Sequence, residues 1–125
     1  MSNFEKFEYK LRSRRHTPQI TIGKGGRMYF NAGCCAKYNL TGCQYATLYF
    51  NKERNQIGIK VTEEPQKGGF RCAYYNSNQI SLTIRTFFIY YGLTSLLNKL
   101  RYFEPVYDKE TNMFIIDLKK ELKNE

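Results

Sequence analysis

The chain has 125 residues, 42% of them apolar, which makes it one domain by size with enough apolar mass for a core. Charges stand where an export signal needs an apolar stretch, and no run of about 18 apolar residues occurs, so export and a membrane span are both excluded as expectations and the cytoplasm is the expected location. The formal net charge of +9 is lopsided: residues 1–61 hold eleven Lys and Arg against three Asp and Glu, and residues 62–125 hold nine against eight, a field that favours a polyanion on one side.

Residues 1–18 read as an arm. Phe4, Phe7 and Leu11 fall on one face of a short helix. Arg12, Arg14, Arg15 and His16 follow, and Pro18 ends any helix. A basic arm beside a folded domain is a phosphate-contacting device; a solvated terminus is the plainer reading. Gln19–Ile22 reads as a strand leading into Gly23-Lys24-Gly25-Gly26-Arg27. The glycines permit positive φ and close approach of a ligand, and Lys24 and Arg27 set charge beside exposed N–H groups. The Lys-Ser or Lys-Thr pair of a P-loop is missing. An ordinary glycine-rich turn is the structural alternative, and a small-anion pocket a further one.

Arg27–Phe30 continues as a short β-like run, and Ala32–Tyr38 as one or two helical turns capped near Asn39. Tyr45–Val61 is a β-hairpin around the turn Asn51-Lys52-Glu53-Arg54-Asn55, whose Asn residues tolerate left-handed backbone. Ile57, Ile59 and Val61 alternate as a strand with one buried face does. Thr62–Gly69, with Pro65 and paired glycines, is a linker.

The same order then returns. Phe70–Tyr75 is strand-like, Asn76-Ser77-Asn78 a turn, Ile80–Ile84 a short run, and Thr86–Tyr91 a helical segment ending at Gly92. Tyr102–Leu118 is a second hairpin about Asp108-Lys109-Glu110-Thr111-Asn112. Tyr38 falls on Tyr91, Asn39-Leu40-Thr41-Gly42 on Gly92-Leu93-Thr94-Ser95, and Ile57, Ile59 and Val61 on Phe114, Ile116 and Leu118. The upstream match sets Arg27 over Ile80, and an insertion is expected at Leu96–Leu100. A unit of about 60 residues is marginal alone, so two copies are expected to share one core. The expected fold class is mainly β with short helices (α+β): a small barrel from two tandem hairpin-helix-hairpin repeats, 19–61 and 70–118, with a solvated tail at 119–125.

The run Ile20-Thr21-Ile22-Gly23-Lys24-Gly25-Gly26-Arg27-Met28-Tyr29-Phe30, followed by a short helix and the Tyr45–Val61 hairpin, resembles the AbrB/SpoVT-like swapped-hairpin and double-psi barrel group. The likeness covers residues 19–61 and, more faintly, the second copy. It implies a DNA-binding regulator of the kind built as dimers of short units, with Lys24 and Arg27 facing DNA, and hence a possible homodimer. Asn31 stands where the family has proline, and the second copy offers Gln79-Ile80 in place of Gly-Arg. The first helix is rich in Cys and Tyr. These departures fit a prophage-encoded variant using the fold for another purpose, as does a composition rich in Lys, Asn, Tyr, Ile and Phe without Trp, which suits an AT-rich genome.

Cys34, Cys35, Cys43 and Cys72 are expected as reduced, buried thiols, since their spacing matches no zinc site. No metal, cofactor or catalytic constellation is expected, so the chain reads as a non-catalytic binding protein rather than an enzyme; His16 sits in an arm, a poor place for preorganised chemistry. The expected partner is nucleic acid, duplex DNA foremost, held through Arg12, Arg14, Arg15, Lys24, Arg27, Lys37, Lys52 and Arg54. The alternative is a phage or mobile-element protein that inhibits an acidic or nucleic-acid-handling host protein through its tyrosine-rich surface. Tyr74, Tyr75, Phe87, Phe88, Tyr90 and Tyr91 beside Arg71 and Arg85 can stack bases, though packing is the commoner use of such residues.

Overall fold

The computed structural model describes residues 17–40, 44–75 and 79–122. Ten strands form two five-stranded sheets. In the first, β6 (Ala73–Tyr75), β7 (Gln79–Thr83), β2 (Arg27–Phe30), β1 (Ile20–Ile22) and β8 (Arg101–Phe103) lie in that order. In the second the order is β5 (Phe70–Arg71), β3 (Tyr45–Asn51), β4 (Gln56–Thr62), β10 (Met113–Asp117) and β9 (Val106–Asp108). Among the described residues, two short helices, α1 (Ala32–Lys37) and α2 (Arg85–Tyr90), and a 3-10 helix over Thr94–Asn98 accompany the sheets. The fold is mainly β, as the sequence predicts. The expected barrel does not close: one sheet ends on β6 and β8, the other on β5 and β9.

Alternation along the strands builds one shared core. Ile20, Ile22, Met28, Phe30, Ile80 and Leu82 point inward from the first sheet, and Ala46, Ile57, Ile59, Phe114 and Ile116 from the second. Phe30 meets Phe114 edge-on at 5.8 Å across the interior. Each fully buried side chain of this size contributes about 1.5–3 kcal/mol.

The two copies are related by a local two-fold axis that the strand register makes explicit. β4 pairs antiparallel with β10 as Ile57↔Ile116, Gly58↔Ile115 and Ile59↔Phe114. With Ile57 equivalent to Phe114 and Ile59 to Ile116, exchanging the copies returns the same pairs, so the axis passes between Gly58 and Ile115. The turns agree in backbone, Asn55 and Asn112 both having φ of 56°, and differ in detail: Asn51 Oδ1 accepts from the Arg54 N–H three residues on, Asp108 Oδ1 from the Glu110 N–H two residues on, both at 3.1 Å.

In the first sheet, β2 pairs with β7 as Met28↔Leu82 and Phe30↔Ile80. Here the expected alignment is off by one. Arg27 over Ile80 would set inward Met28 on Ser81, whereas burial matches Met28 with Ile80 and Phe30 with Leu82. A one-residue slip reverses every side chain in a strand, so the second copy holds an extra residue, Ile84, between strand and helix.

The helices obey the expected alignment. Buried Cys34 and Cys35 match buried Phe87 and Phe88. Asn39 and Gly92 follow the last turns with φ of 52° and 69°, and Leu40 and Leu93 donate back to the carbonyls of Cys35 and Phe88 at 3.0 and 2.7 Å, a left-handed helix stop in both copies. Tyr38 packs on Tyr107 and Phe114 of the other copy, at 5.4 and 4.9 Å. Its equivalent, Tyr91, packs on Phe50 at 4.9 Å. Each hairpin thus covers the opposite copy's helix.

Two segments expected to be continuous are divided. Phe70–Tyr75 breaks at Cys72, and Tyr102–Asp108 breaks at Glu104-Pro105, each piece joining a different sheet. Proline supplies no ladder donor, which suits the second break. The tail is tied down as far as Leu122: the Leu122 N–H donates to the Tyr102 carbonyl at 2.7 Å, and Glu121 meets Arg101 at 2.6 Å. Arg101 is half-buried and needs that carboxylate. The strands need only the span to Asp117, so this anchoring was invisible in their periodicity.

Candidate nucleic-acid interface

The β1–β2 turn is built by its glycines. The Gly23 N–H donates to the Arg27 carbonyl at 2.7 Å, and Gly25 and Gly26 have φ of 83° and 86°. Gly26 lies directly against the start of α2: a Cβ there would stand 2.6 Å from Arg85 Cα and 2.9 Å from its nitrogen. The Ile84 N–H donates to the Gly26 carbonyl at 2.7 Å. α1 begins instead on the Asn31 side chain, whose Oδ1 accepts from Cys34 and Gln19 N–H groups at 2.9 and 3.0 Å. No side chain caps α2; the turn of the first copy does that work from 58 residues away in sequence. Exposed Lys24, Arg27 and Arg85 are thereby brought to one end of the first sheet.

The charge imbalance follows layers, which differs from the halves seen in sequence. Residues 17–44 and 72–103, which hold the first sheet and the described helices, carry Lys24, Arg27, Lys37, Arg85, Lys99 and Arg101 and not one Asp or Glu. Residues 45–71 and 104–118, which form the second sheet, carry Lys52, Arg54, Lys60, Lys67, Arg71 and Lys109 against Glu53, Glu63, Glu64, Glu104, Asp108, Glu110 and Asp117. Each copy contributes strands to both sheets, so the basic layer is drawn from the two copies alike.

Of the residues expected to contact phosphate, Lys24 and Arg27 stand together and gain Arg85. Lys37 ends the other helix, with its Nζ over the Tyr38 ring at 5.4 Å. Lys52 and Arg54 lie in the exposed β3–β4 turn of the second sheet. Arg54 lines a groove of about 520 Å³ with Gln56, Glu104, Val106, Ile115, Asp117, Lys120 and Leu122. That groove mixes both signs of charge and includes two carboxylates, a poor match to a polyanion. Arg12, Arg14, Arg15 and His16 lie outside the described residues.

The aromatics divide sharply. Phe87 and Phe88 are core, and Phe50 packs edge-on against Phe87 at 6.3 Å. Tyr90 is 81% exposed and Tyr91 42%, with Ile89 beside them at 54%. Tyr90 stands edge-to-face on Tyr91 at 4.8 Å, and Tyr91 rests on Phe50 and Phe87 at 4.9 and 5.0 Å. Tyr74 and Tyr75 belong to β6.

Cys34, Cys35 and Cys72 are buried, as expected of structural cysteines, and Cys43 lies outside the described residues. Burial, reinforced by neighbouring Cys35 and opposed by Lys37, pushes the Cys34 thiol up from 9.0 to about 12, which suits packing and not nucleophilic chemistry. Among the described residues no group of His, Cys, Asp or Glu could hold a metal ion, and no helix is long and apolar enough to cross a membrane. Comparison with family models, with curated proteins and with solved structures gives no match.

Proposed function

We propose that the protein is a non-catalytic nucleic-acid-binding protein that takes phosphates at the Lys24–Arg27–Arg85 end of its basic layer, with duplex DNA as its first ligand and regulation as its role. One observation carries the reading: the first sheet and the described helices hold six cations and no carboxylate of their own, and only Arg101 is met by one, Glu121 of the C-terminal segment. A layer so short of acids presents a field largely of one sign, which concentrates a polyanion and speeds its approach. Positioning on the backbone needs cations on a rigid frame, and Gly26 fixes the turn against α2. The sequence resemblance of residues 19–61 to the swapped-hairpin group points the same way.

The experiment is a salt titration of affinity for duplex DNA. With three phosphates neutralised by these side chains, log K should fall against log salt with a slope steeper by roughly 2.7 than in a Lys24→Ala, Arg27→Ala, Arg85→Ala variant. An unchanged slope in that variant, or no binding at low salt, refutes the reading.

A further inference from the structure

The exposed end of α2 can be judged against an internal control. The two helices align residue for residue under the repeat, with matched buried pairs and matched stops, so α1 shows what the fold itself requires toward the end of the helix. At the two exposed places before the final tyrosine, α1 carries Ala36 and Lys37. α2 carries Ile89 and Tyr90 at the same places, 54% and 81% exposed. In α1 the lysine lies over the tyrosine ring; in α2 a second ring does. Packing therefore asks for no large apolar group here, and an exposed apolar cluster that the fold does not require marks a binding surface.

From this we infer that Tyr90, propped by Tyr91, is a stacking platform for the bases of single-stranded DNA, whose phosphates run to Arg85 and the Lys24–Arg27 turn. The inference rests on the cationic site of the proposed function and adds single-stranded DNA to the ligands that site takes. Charge complementarity selects the occupant: residues 65–103 contain no Asp or Glu, and Arg85 stands five residues from Tyr90 on the same helix, about 7.5 Å along its axis. One short stretch of strand reaches both. Tyr90 is 81% exposed, which leaves ring surface open to solvent, and a base in a duplex offers no free face to it. Stacking of this kind is indifferent to sequence.

Fluorescence anisotropy with a labelled oligothymidylate strand and a labelled duplex tests it. Tyr90→Ala should weaken binding of the strand roughly 5- to 100-fold and leave the duplex within about twofold. Tyr90→Lys restores what the first copy carries and adds a cation. Stacking predicts weaker strand binding in this variant; purely electrostatic binding predicts stronger. The chain has no Trp, so Tyr90→Trp supplies a sole indole whose emission should be quenched by the strand. If the strand binds Tyr90→Ala as well as it binds the parent protein, or Tyr90→Lys tightens it, the platform is refuted while the cationic reading stands. If neither strand nor duplex binds at low salt, both readings fall and the cluster belongs to a protein partner.

Discussion

Replacing Gly26 by alanine tests whether the basic turn is held against α2. Two costs add. A positive φ with a side chain costs about 1–2 kcal/mol. The new Cβ also meets Arg85 backbone at 2.6 and 2.9 Å, and backbone cannot swing aside as a side-chain tip can; overpacking of this kind costs about 1–3 kcal/mol. Gly25 provides the control, since it shares the positive φ of 83° but has nothing within 4 Å of its would-be Cβ. Gly25→Ala should therefore lose about 1–2 kcal/mol and Gly26→Ala about 2–5 kcal/mol. Urea unfolding followed by circular dichroism reads the difference as a lower midpoint at unchanged slope. Where Gly26→Ala still folds, it should weaken DNA binding more than Gly25→Ala, because Arg85 has been pushed from the turn. Equal losses for the two variants, within about 0.5 kcal/mol, would show that the turn does not rest on the helix.

Two other outcomes follow from the same geometry. At Gly58, on the local axis, a Cβ would press on the Met113 Sδ and Cε, at 3.1 and 3.2 Å, and meet Tyr49 Cβ at an ordinary 3.6 Å; that thioether is flexible, so Gly58→Ala should change stability by less than about 1 kcal/mol, and a loss above about 2 kcal/mol by urea unfolding would contradict it. The Cys34 thiol, raised from 9.0 to about 12 when folded, keeps its proton longer in the folded state than in the unfolded. Its contribution is then complete below about pH 9 and is lost as pH rises toward about 12, by up to about 1.4 kcal/mol per pH unit. Cys34→Ala should flatten that limb of the stability curve, and an identical limb in both proteins would contradict the assignment.

The sequence was readable wherever the determining pattern is local. Asn55 and Asn112 announce left-handed turn positions by residue type, and Ile57, Ile59, Phe114 and Ile116 announce an inward face by alternation; all six behave accordingly. Asn39 and Gly92 likewise mark where the helices stop. Alternation was less help over Arg27–Phe30, where four residues are too few to set phase against Ile80–Ile84, and Ile84 closes the strand while opening the helix. The contact of Gly26 with Arg85 joins residues with no pattern linking them, and the basic layer is assembled from both copies, so a count along the chain assigns it to one half. The site was half visible: Lys24 and Arg27 carry their own chemistry beside glycines, whereas Tyr90 stands out only after its counterpart Lys37 is known.

The crossing of each hairpin over the opposite helix has a mechanical consequence. Neither half owns a finished interior, because Tyr38 is roofed by Tyr107 and Tyr91 by Phe50. A nick in the exposed connection at 63–69 would leave two interlocked fragments that come apart only by melting. Synthesised separately, the same fragments should be able to find each other and restore the whole.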